Sequence, residues 1–265
     1  MKSLKFYKAT GQGNDYIVIE DFKGFELTPH FVKSMCDRHR GVGGDGVILF
    51  EKKDKIFARI FNSDGSEAEI SGNGIRCLAS VLHFSGVGEK ILKIETLHGV
   101  RDVVLKDVES DLEYIFEMNL GKVNKIEDVV VFLEGKKIWI NGIYVELANP
   151  HFVIFKKDFN KEELFSLGPL IEKNSLFKRG VNVEFAKVLS EKEIFSYFWE
   201  RGVGYTLSSG TGAAASAIAT IERFHLKSEI TVYTEGGDYL VRAVNGEIIQ
   251  RGQAKVLYKG EYYYL

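Results

Sequence analysis

Cysteine and proline are both scarce in this chain: two cysteines and three prolines in 265 residues. Cys36 and Cys77 stand in no CxxC pair and no Cys/His cluster, which argues against a disulfide framework, a structural zinc site and a redox role, and fits a reducing, cytoplasmic setting. The histidines (His30, His39, His83, His98, His151 and His225) lack HExxH or short i, i+4 spacing, so no metal is expected. No apolar run approaches the ~18 residues of a membrane span. The opening segment MKSLKFYKATGQGND has neither the apolar stretch nor the small-residue cleavage site of an export signal. Neither sign of charge dominates: 35 Lys+Arg against 37 Asp+Glu give −2, too little for the basic field that nucleic acid or an anionic membrane demands. Glycine, by contrast, is plentiful at 27 residues, so chain reversals fall to glycine, as suits many short strands joined by tight turns. With 45% hydrophobic and 27% charged residues the chain reads as a soluble globular protein of one large or two medium domains.

Strand-like runs fill Leu4 to Glu20, with YIVIE at 16–20 the clearest. Thr28 caps a helix from Pro29 to about Arg38, which the glycine cluster 41–46 ends. Strands are expected at Gly46–Glu51 and Lys55–Phe61, running into the turn Asn62-Ser63-Asp64-Gly65. A helix follows at Ile75–Phe84, stopped by Gly86. IET, VRDVVLKDV, EYIFEMNL, VVVFLEG and KKIWINGIYVEL then form a sheet-dominated stretch punctuated by Gly121, Gly135 and Gly142. A helix at Lys161–Asn174, strands at Val181–Val188 and Ile194–Trp199, a helix at Ala213–Phe224 and a strand-rich end complete the order.

Comparison of the chain with itself is more informative. FNSDGSEAEISGNGIRCLASV (61–81) lies over WERGVGYTLSSGTGAAASAIA (199–219) without a gap, at an offset of 138 (209 − 71). NDYIVIE (14–20) lies over NPHFVIF (149–155) at an offset of 135. Two paired features in the same order indicate a duplicated α/β unit, two similar halves facing each other across a cleft.

A helix N-terminus leaves its first N–H groups unpaired and carries partial positive charge, so it favours anions. Gly72, Gly74, Gly210 and Gly212 let a ligand approach the backbone closely. Two such termini in one cleft would cradle a carboxylate and set Ser71 and Ser209 on opposite sides of the bound carbon, the geometry of stereoinversion by proton transfer. The plainer reading is that both serines are helix N-caps. His151 reads by default as a hydrogen-bonded strand-end histidine, and Glu200 with Arg201 as a surface pair; the functional alternative is that Arg201 holds a carboxylate in a forked hydrogen bond. Gly41-Val42-Gly43-Gly44-Asp45-Gly46 satisfies GxGxxG, but it follows a helix and precedes a strand, the reverse of a dinucleotide site.

The segments GNDY (13–16), DRHRGVGGDG (37–46), FNSDGSEAEISGNGIRC (61–77), ANPHFV (148–153), GVNVEF (180–185) and ERGVGYTLSSGTGA (200–213) together resemble the diaminopimelate epimerase family over essentially the whole chain. The resemblance implies an α/β (α+β) fold of two pseudo-symmetric domains, each a mixed β-barrel around a central helix. It puts residues 1–115 with 253–265 in one domain and 116–252 in the other, with the active site in the cleft between them. It implies an isomerase of lysine and peptidoglycan-precursor biosynthesis that interconverts LL- and meso-2,6-diaminopimelate. Such an enzyme needs no pyridoxal phosphate, metal or other cofactor, takes a small-molecule amino acid as its partner, and is a possible homodimer. Carried over by position, Asn62, Asn149, Asn182 and Arg201 grip the distal amino acid end and Asn14 lines the site. Gly72, Asn73, Gly210 and Thr211 hold the reacting α-carboxylate, while His151 and Glu200 assist the bases.

The departures bear directly on activity. Ser71 and Ser209 stand where the family has its two catalytic cysteines. A thiol titrates near pH 8.5, whereas a hydroxyl holds its proton far more tightly and needs a dedicated base. The chain as written should therefore bind better than it turns over. That only these two positions are exchanged, while Cys36 and Cys77 remain, points to Cys→Ser replacement; Tyr205, where the family usually has Glu, and Gly46, polar in some members, keep natural divergence open. On the same scaffold a non-catalytic amino acid binding protein, or a racemase or dehydratase for another amino acid, also stays open.

Overall fold

A computed structural model describes residues 2–20, 27–68, 71–97, 99–158, 160–226 and 229–264; Glu69, Ile70 and His98, which figure in the sequence reading, lie outside the described residues. The chain divides into two compact units, Met1–Met118 with Gly252–Leu265, and Asn119–Arg251.

The first unit contains β1 (Lys2–Gly11), β2 (Asn14–Glu20), α1 (Pro29–Cys36), β3 (Gly46–Lys52), β4 (Ile56–Asn62), α2 (Gly72–Phe84), β5 (Ile91–Thr96) and β6 (Gly99–Ser110). It shares β7 (Glu113–Lys122) and the C-terminal β16 (Glu247–Tyr264) with the second unit. The hydrogen-bonded order runs β1-β2-β3-β4-β5-β6-β7-β16, and β16 pairs back onto β1 from Lys2↔Tyr264 to Thr10↔Lys255, so the sheet closes. Closure leaves an interior for one helix. Helix α2 is buried at every residue from Asn73 to Leu82 because it is apolar on nearly every side, the mark of a helix with no solvent face. Ile75, Leu78, Val81 and Leu82 pack against inward residues of the strands, among them Val18, Ile48, Ile60, Ile94 and Phe116. The opposite faces of β2 and β3 (Ile17, Ile19, Val47, Leu49) are covered by Val32 and Met35 of α1. Strands buried on both faces read as continuous apolar runs, as YIVIE does.

The second unit repeats the plan with β8 (Lys125–Leu133), β9 (Ile138–Leu147), β10 (Asn149–Phe155), α3 (Lys161–Glu172), β11 (Asn182–Ser190), β12 (Glu193–Glu200), β13 (Gly204–Thr206), α4 (Gly210–Phe224), β14 (Glu229–Thr234) and β15 (Gly237–Val244). Its order is β16-β15-β14-β12-β11-β10-β9-β8, with β13 on β12. Here the inner helix is α4, whose Ala213, Ala214, Ala215, Ala217 and Ala219 lie in the core with Val153, Phe198 and Val232. Helix α3 covers the outer faces of β10 and β11 through Leu164, Leu167 and Ile171.

The duplication holds at the level of register. Ile56 pairs with Ile94 in parallel, and 138 residues on, Ile194 pairs with Val232 in parallel. Thr96 donates its hydroxyl proton to the Gly99 carbonyl at 2.9 Å, as Thr234 does to Gly237 at 2.5 Å. Tyr16↔Gly46 and His151↔Asn182 are likewise equivalent parallel pairs.

Several boundaries differ from expectation for local reasons. The run Leu4–Glu20 is two strands, turned at Gln12 and Gly13, both at positive φ as a two-residue hairpin requires. Helix α1 stops at Cys36 because Asp37 turns extended and accepts the His39 and Arg40 N–H groups on its carboxylate. Helices α2 and α4 begin at Gly72 and Gly210, three residues before the apolar periodicity starts, because serine caps stabilise a glycine-rich first turn. Helix α3 ends at Glu172, two residues early. Gly121 and Gly142 do not interrupt the sheet; each lies inside a strand, and a Cβ at Gly142 would meet the Phe152 ring at 2.5 Å.

Candidate active site

Ser71 and Ser209 occupy the same local geometry. Each is extended (φ −136° and −135°) and caps its helix, Ser71 Oγ accepting the Gly74 N–H at 3.0 Å and Ser209 Oγ the Gly212 N–H at 3.2 Å. The N-cap reading is therefore correct for both. Capping uses the third N–H of each helix, and the preceding two positions are Gly72 and Asn73 in α2 and Gly210 and Thr211 in α4. A Cβ on Gly212 would stand 2.8 Å from the Phe198 ring and 2.9 Å from Glu184 Oε1, so only glycine fits there.

Around Ser71 the first unit assembles a polar chain. The Tyr16 hydroxyl lies 2.8 Å from Ser71 Oγ. Asn73 Nδ2 donates to Asn14 Oδ1 at 2.6 Å, Asn14 Nδ2 donates to Asp45 Oδ2 at 3.3 Å, and the buried Arg76 donates to Asn73 Oδ1 at 2.5 Å. Arg38 spans Asp15 and Asp45 at 2.7 and 2.8 Å, and the buried Lys8 pairs with Asp15 at 2.7 Å. Burial pushes the Asp15 carboxyl up, but the hydrogen bonds and charges of Arg38 and Lys8 outweigh it and hold the group below the ordinary carboxylate range. The GxGxxG-like loop thus carries Asp45 to Asn14 and to Arg38. Gly46 is fixed by packing, since a Cβ there would lie 2.3 Å from the Phe61 carbonyl oxygen. Asn62, at the exposed end of β4, donates to Ser66 Oγ at 3.0 Å.

The surroundings of Ser209 differ. Its hydroxyl donates to Glu200 Oε2 at 3.1 Å. His151, wholly buried on β10, bonds through Nδ1 to Glu184 Oε1 and through Nε2 to Asn149 Oδ1, both at 2.6 Å. Burial raises the Glu184 carboxyl above its usual range against the pull of His151. Asn182 donates to the Pro150 carbonyl at 2.9 Å and accepts the Arg201 backbone N–H at 2.9 Å. The Arg201 guanidinium reaches the Arg179 carbonyl at 3.0 Å. Tyr205 faces away from this group, its ring against Phe165 and beneath the Lys161 ammonium.

Side chains bonded to the expected site residues but not singled out in the sequence include Tyr16, Asp45, Arg76 and Glu184. All four lie in segments that carry the family resemblance, and Tyr16 also aligns with His151 in the internal repeat.

Among the described residues no group of three or more His, Cys, Asp and Glu is placed to hold a metal ion, and no helix is long and apolar enough to cross a membrane.

The sequence model of the diaminopimelate epimerase family matches residues 6–126 and 143–257. The diaminopimelate epimerase of Desulfitobacterium hafniense is 37% identical over 276 residues, covering 97% of either chain, and that of Carboxydothermus hydrogenoformans is 37% identical over 275 residues, covering 98% of this chain and 100% of its own. Among solved structures, a Bacillus anthracis phenazine biosynthesis protein of the PhzF family superposes with a TM-score of 0.74 over 100% of both chains at 14% identity. A hydroxyproline epimerase from Agrobacterium vitis reaches 0.71 over 98% of this chain and 92% of its own at 15% identity; both likenesses are of fold. Matched by the family model along both halves and aligned end to end with named relatives, this chain belongs to the diaminopimelate epimerase family, among the amino-acid epimerases and racemases that work without pyridoxal phosphate.

Proposed function

We propose that this chain takes LL- and meso-2,6-diaminopimelate, that residues 71 and 209 stand at the two base positions of their interconversion, and that serine at both makes it a binder with little turnover. The observation that carries this reading is the repeated capped helix start: the same side chain, at the same N-cap, in both halves of a duplicated fold. Inversion by proton transfer needs one group to remove hydrogen from one face of the carbon and another to return it from the opposite face. The charge that develops next to the α-carboxylate is what unpaired helix N–H groups stabilise.

In this reading Gly72, Asn73, Gly210 and Thr211 hold the reacting carboxylate, Asn14 lines the site, and Asn62, Asn149, Asn182 and Arg201 take the distal end. Glu200 is within hydrogen-bond reach of the Ser209 hydroxyl, and His151, backed by Glu184, meets Asn149. Neither arrangement makes a hydroxyl as acidic as a thiol. Each tenfold loss of rate is about 1.4 kcal/mol of barrier, so several units of lost acidity suffice to suppress turnover.

The test pairs calorimetry with deuterium incorporation from D2O at the α-carbon. The chain as it stands should bind LL-diaminopimelate and incorporate little deuterium, and Ser71→Cys/Ser209→Cys should incorporate deuterium and form the meso isomer. Absence of both binding and exchange in the double variant overturns the proposal, and tight binding without exchange after both substitutions identifies a non-catalytic binding protein.

A further inference from the structure

Among the described residues Arg76 is the largest of the fully buried side chains, and the reaction outlined above gives it no part. It projects from the first turns of α2 into a slot closed by backbone: a Cβ on Gly252 would lie 3.1 Å from its Cζ and Nε. From there Nη2 bonds to Asn73 Oδ1 at 2.5 Å, and Nη1 lies 3.9 Å from Met118 Sδ.

We infer that Arg76 is a positioning residue which, acting through Asn73, holds the side-chain amide of Asn14 as a hydrogen-bond donor. A guanidinium has donors only, so it turns the oxygen of Asn73 toward itself. Asn73 Nδ2 is thereby directed to Asn14, where it takes up Asn14 Oδ1 at 2.6 Å. Asn14 Nδ2 meets Asp45 Oδ2, held from its other oxygen by Arg38. An ionised carboxylate has acceptors only, so both ends of the run enforce one polarity. Reversing either amide sets donor against donor at one junction and acceptor against acceptor at the other.

The second half holds its equivalent asparagine differently. Asn149 is the repeat equivalent of Asn14, whereas the positions matching Asn73 and Arg76 at the offset of 138 are Thr211 and Ala214, which cannot form the same run. Asn149 instead lies with Oδ1 2.6 Å from His151 Nε2, whose Nδ1 meets the buried Glu184. Duplication thus kept the asparagine and replaced the side chains that hold it.

This inference rests on the reading of Asn14 and Asn73 as ligand contacts, and the experiment separates the two. In the full chain, the side-chain amide resonances of Asn14 and Asn73 are followed by 15N NMR in the parent, Arg76→Lys, Arg76→Met and Asp45→Asn, and LL-diaminopimelate affinity is measured by calorimetry. Arg76→Met should shift or double the Asn14 amide pair, two residues away along the run, and Arg76→Lys should do so less. Arg76→Met and Asp45→Asn should each weaken binding about tenfold, and together scarcely more, because both release the same amide. An unchanged Asn14 pair in Arg76→Met, or multiplicative losses in the double variant, overturns the inference. Should Arg76→Met fail to fold, Arg76→Lys with Asp45→Asn decides by the same criteria, the Asp45 side chain being 36% exposed. Parent protein that binds no diaminopimelate, with an Asn14 pair that still answers to residue 76, refutes the proposed ligand and leaves the positioning role standing.

Discussion

The two serine-capped helix starts share a backbone and differ in company. In the first half Ser71 faces the phenol hydroxyl of Tyr16, and the carboxylates of that half's polar chain, Asp15 and Asp45, are paired with Lys8 and Arg38. In the second half Ser209 donates to the carboxylate of Glu200, beside a buried His151–Glu184 pair. Duplication conserved strand register and cap geometry, which depend on backbone, and let the charged side chains diverge. The lesson is that equal position in a repeat does not imply equal proton chemistry.

The largest contrast is in stability. Glu184→Leu leaves His151 Nδ1 buried without its partner and should cost about 3–5 kcal/mol in urea unfolding. At the matching site of the first half, Ile48→Val should cost about 0.5–1.5 kcal/mol, the loss of one buried methyl. Equal losses would mean that the buried pair carries no special burden.

The second contrast is in acidity. Both native thiols are buried, with Cys36 pushed up to about 11 and Cys77 to about 12 by desolvation, so they should stay silent toward iodoacetamide. The single variants Ser71→Cys and Ser209→Cys can then be compared directly. A negative Glu200 disfavours a neighbouring thiolate where a phenol does not, so Ser71→Cys should label about tenfold faster at neutral pH, equivalent to one unit of acidity. Equal rates would show that the helix terminus alone sets reactivity.

The smallest and most selective contrast is in pH dependence. Asp15, with Arg38 and Lys8 outweighing its burial, titrates below its ordinary 3.8, so its stabilisation is present above that value and is lost as pH falls through the folded-state pKa. Glu184, raised by burial above its ordinary 4.5, has the opposite sign: its contribution is complete below that value and is lost as pH rises through the folded-state pKa. Asp15→Asn should flatten the acid limb of a melting-temperature profile, and Glu184→Gln should flatten the decline on its alkaline side. Profiles that move together would contradict the assigned causes.

The internal repeat was legible because both cap motifs are short and glycine-marked, with each serine acting on an N–H three residues away. Helix starts were misjudged for the same chemical reason, since apolar periodicity says nothing about a glycine turn held by its cap. Glu184 lies in a segment that carries the family resemblance, but an isolated carboxylate among the apolar residues of β11 gives no hint of the histidine on the neighbouring strand. Tyr16 looked like one more core aromatic of YIVIE.

By itself the sequence determined what short-range physics controls: strands buried on two faces, helices apolar all round, caps, glycine turns, their order and their duplication. Tertiary structure alone decided which polar groups meet. Tyr16 and Ser71 are 55 residues apart, Asn14 and Asn73 59, and His151 and Glu184 33. A hydrogen bond is directional and effective only within about 3 Å, so no pattern along the chain encodes it until folding brings its ends together.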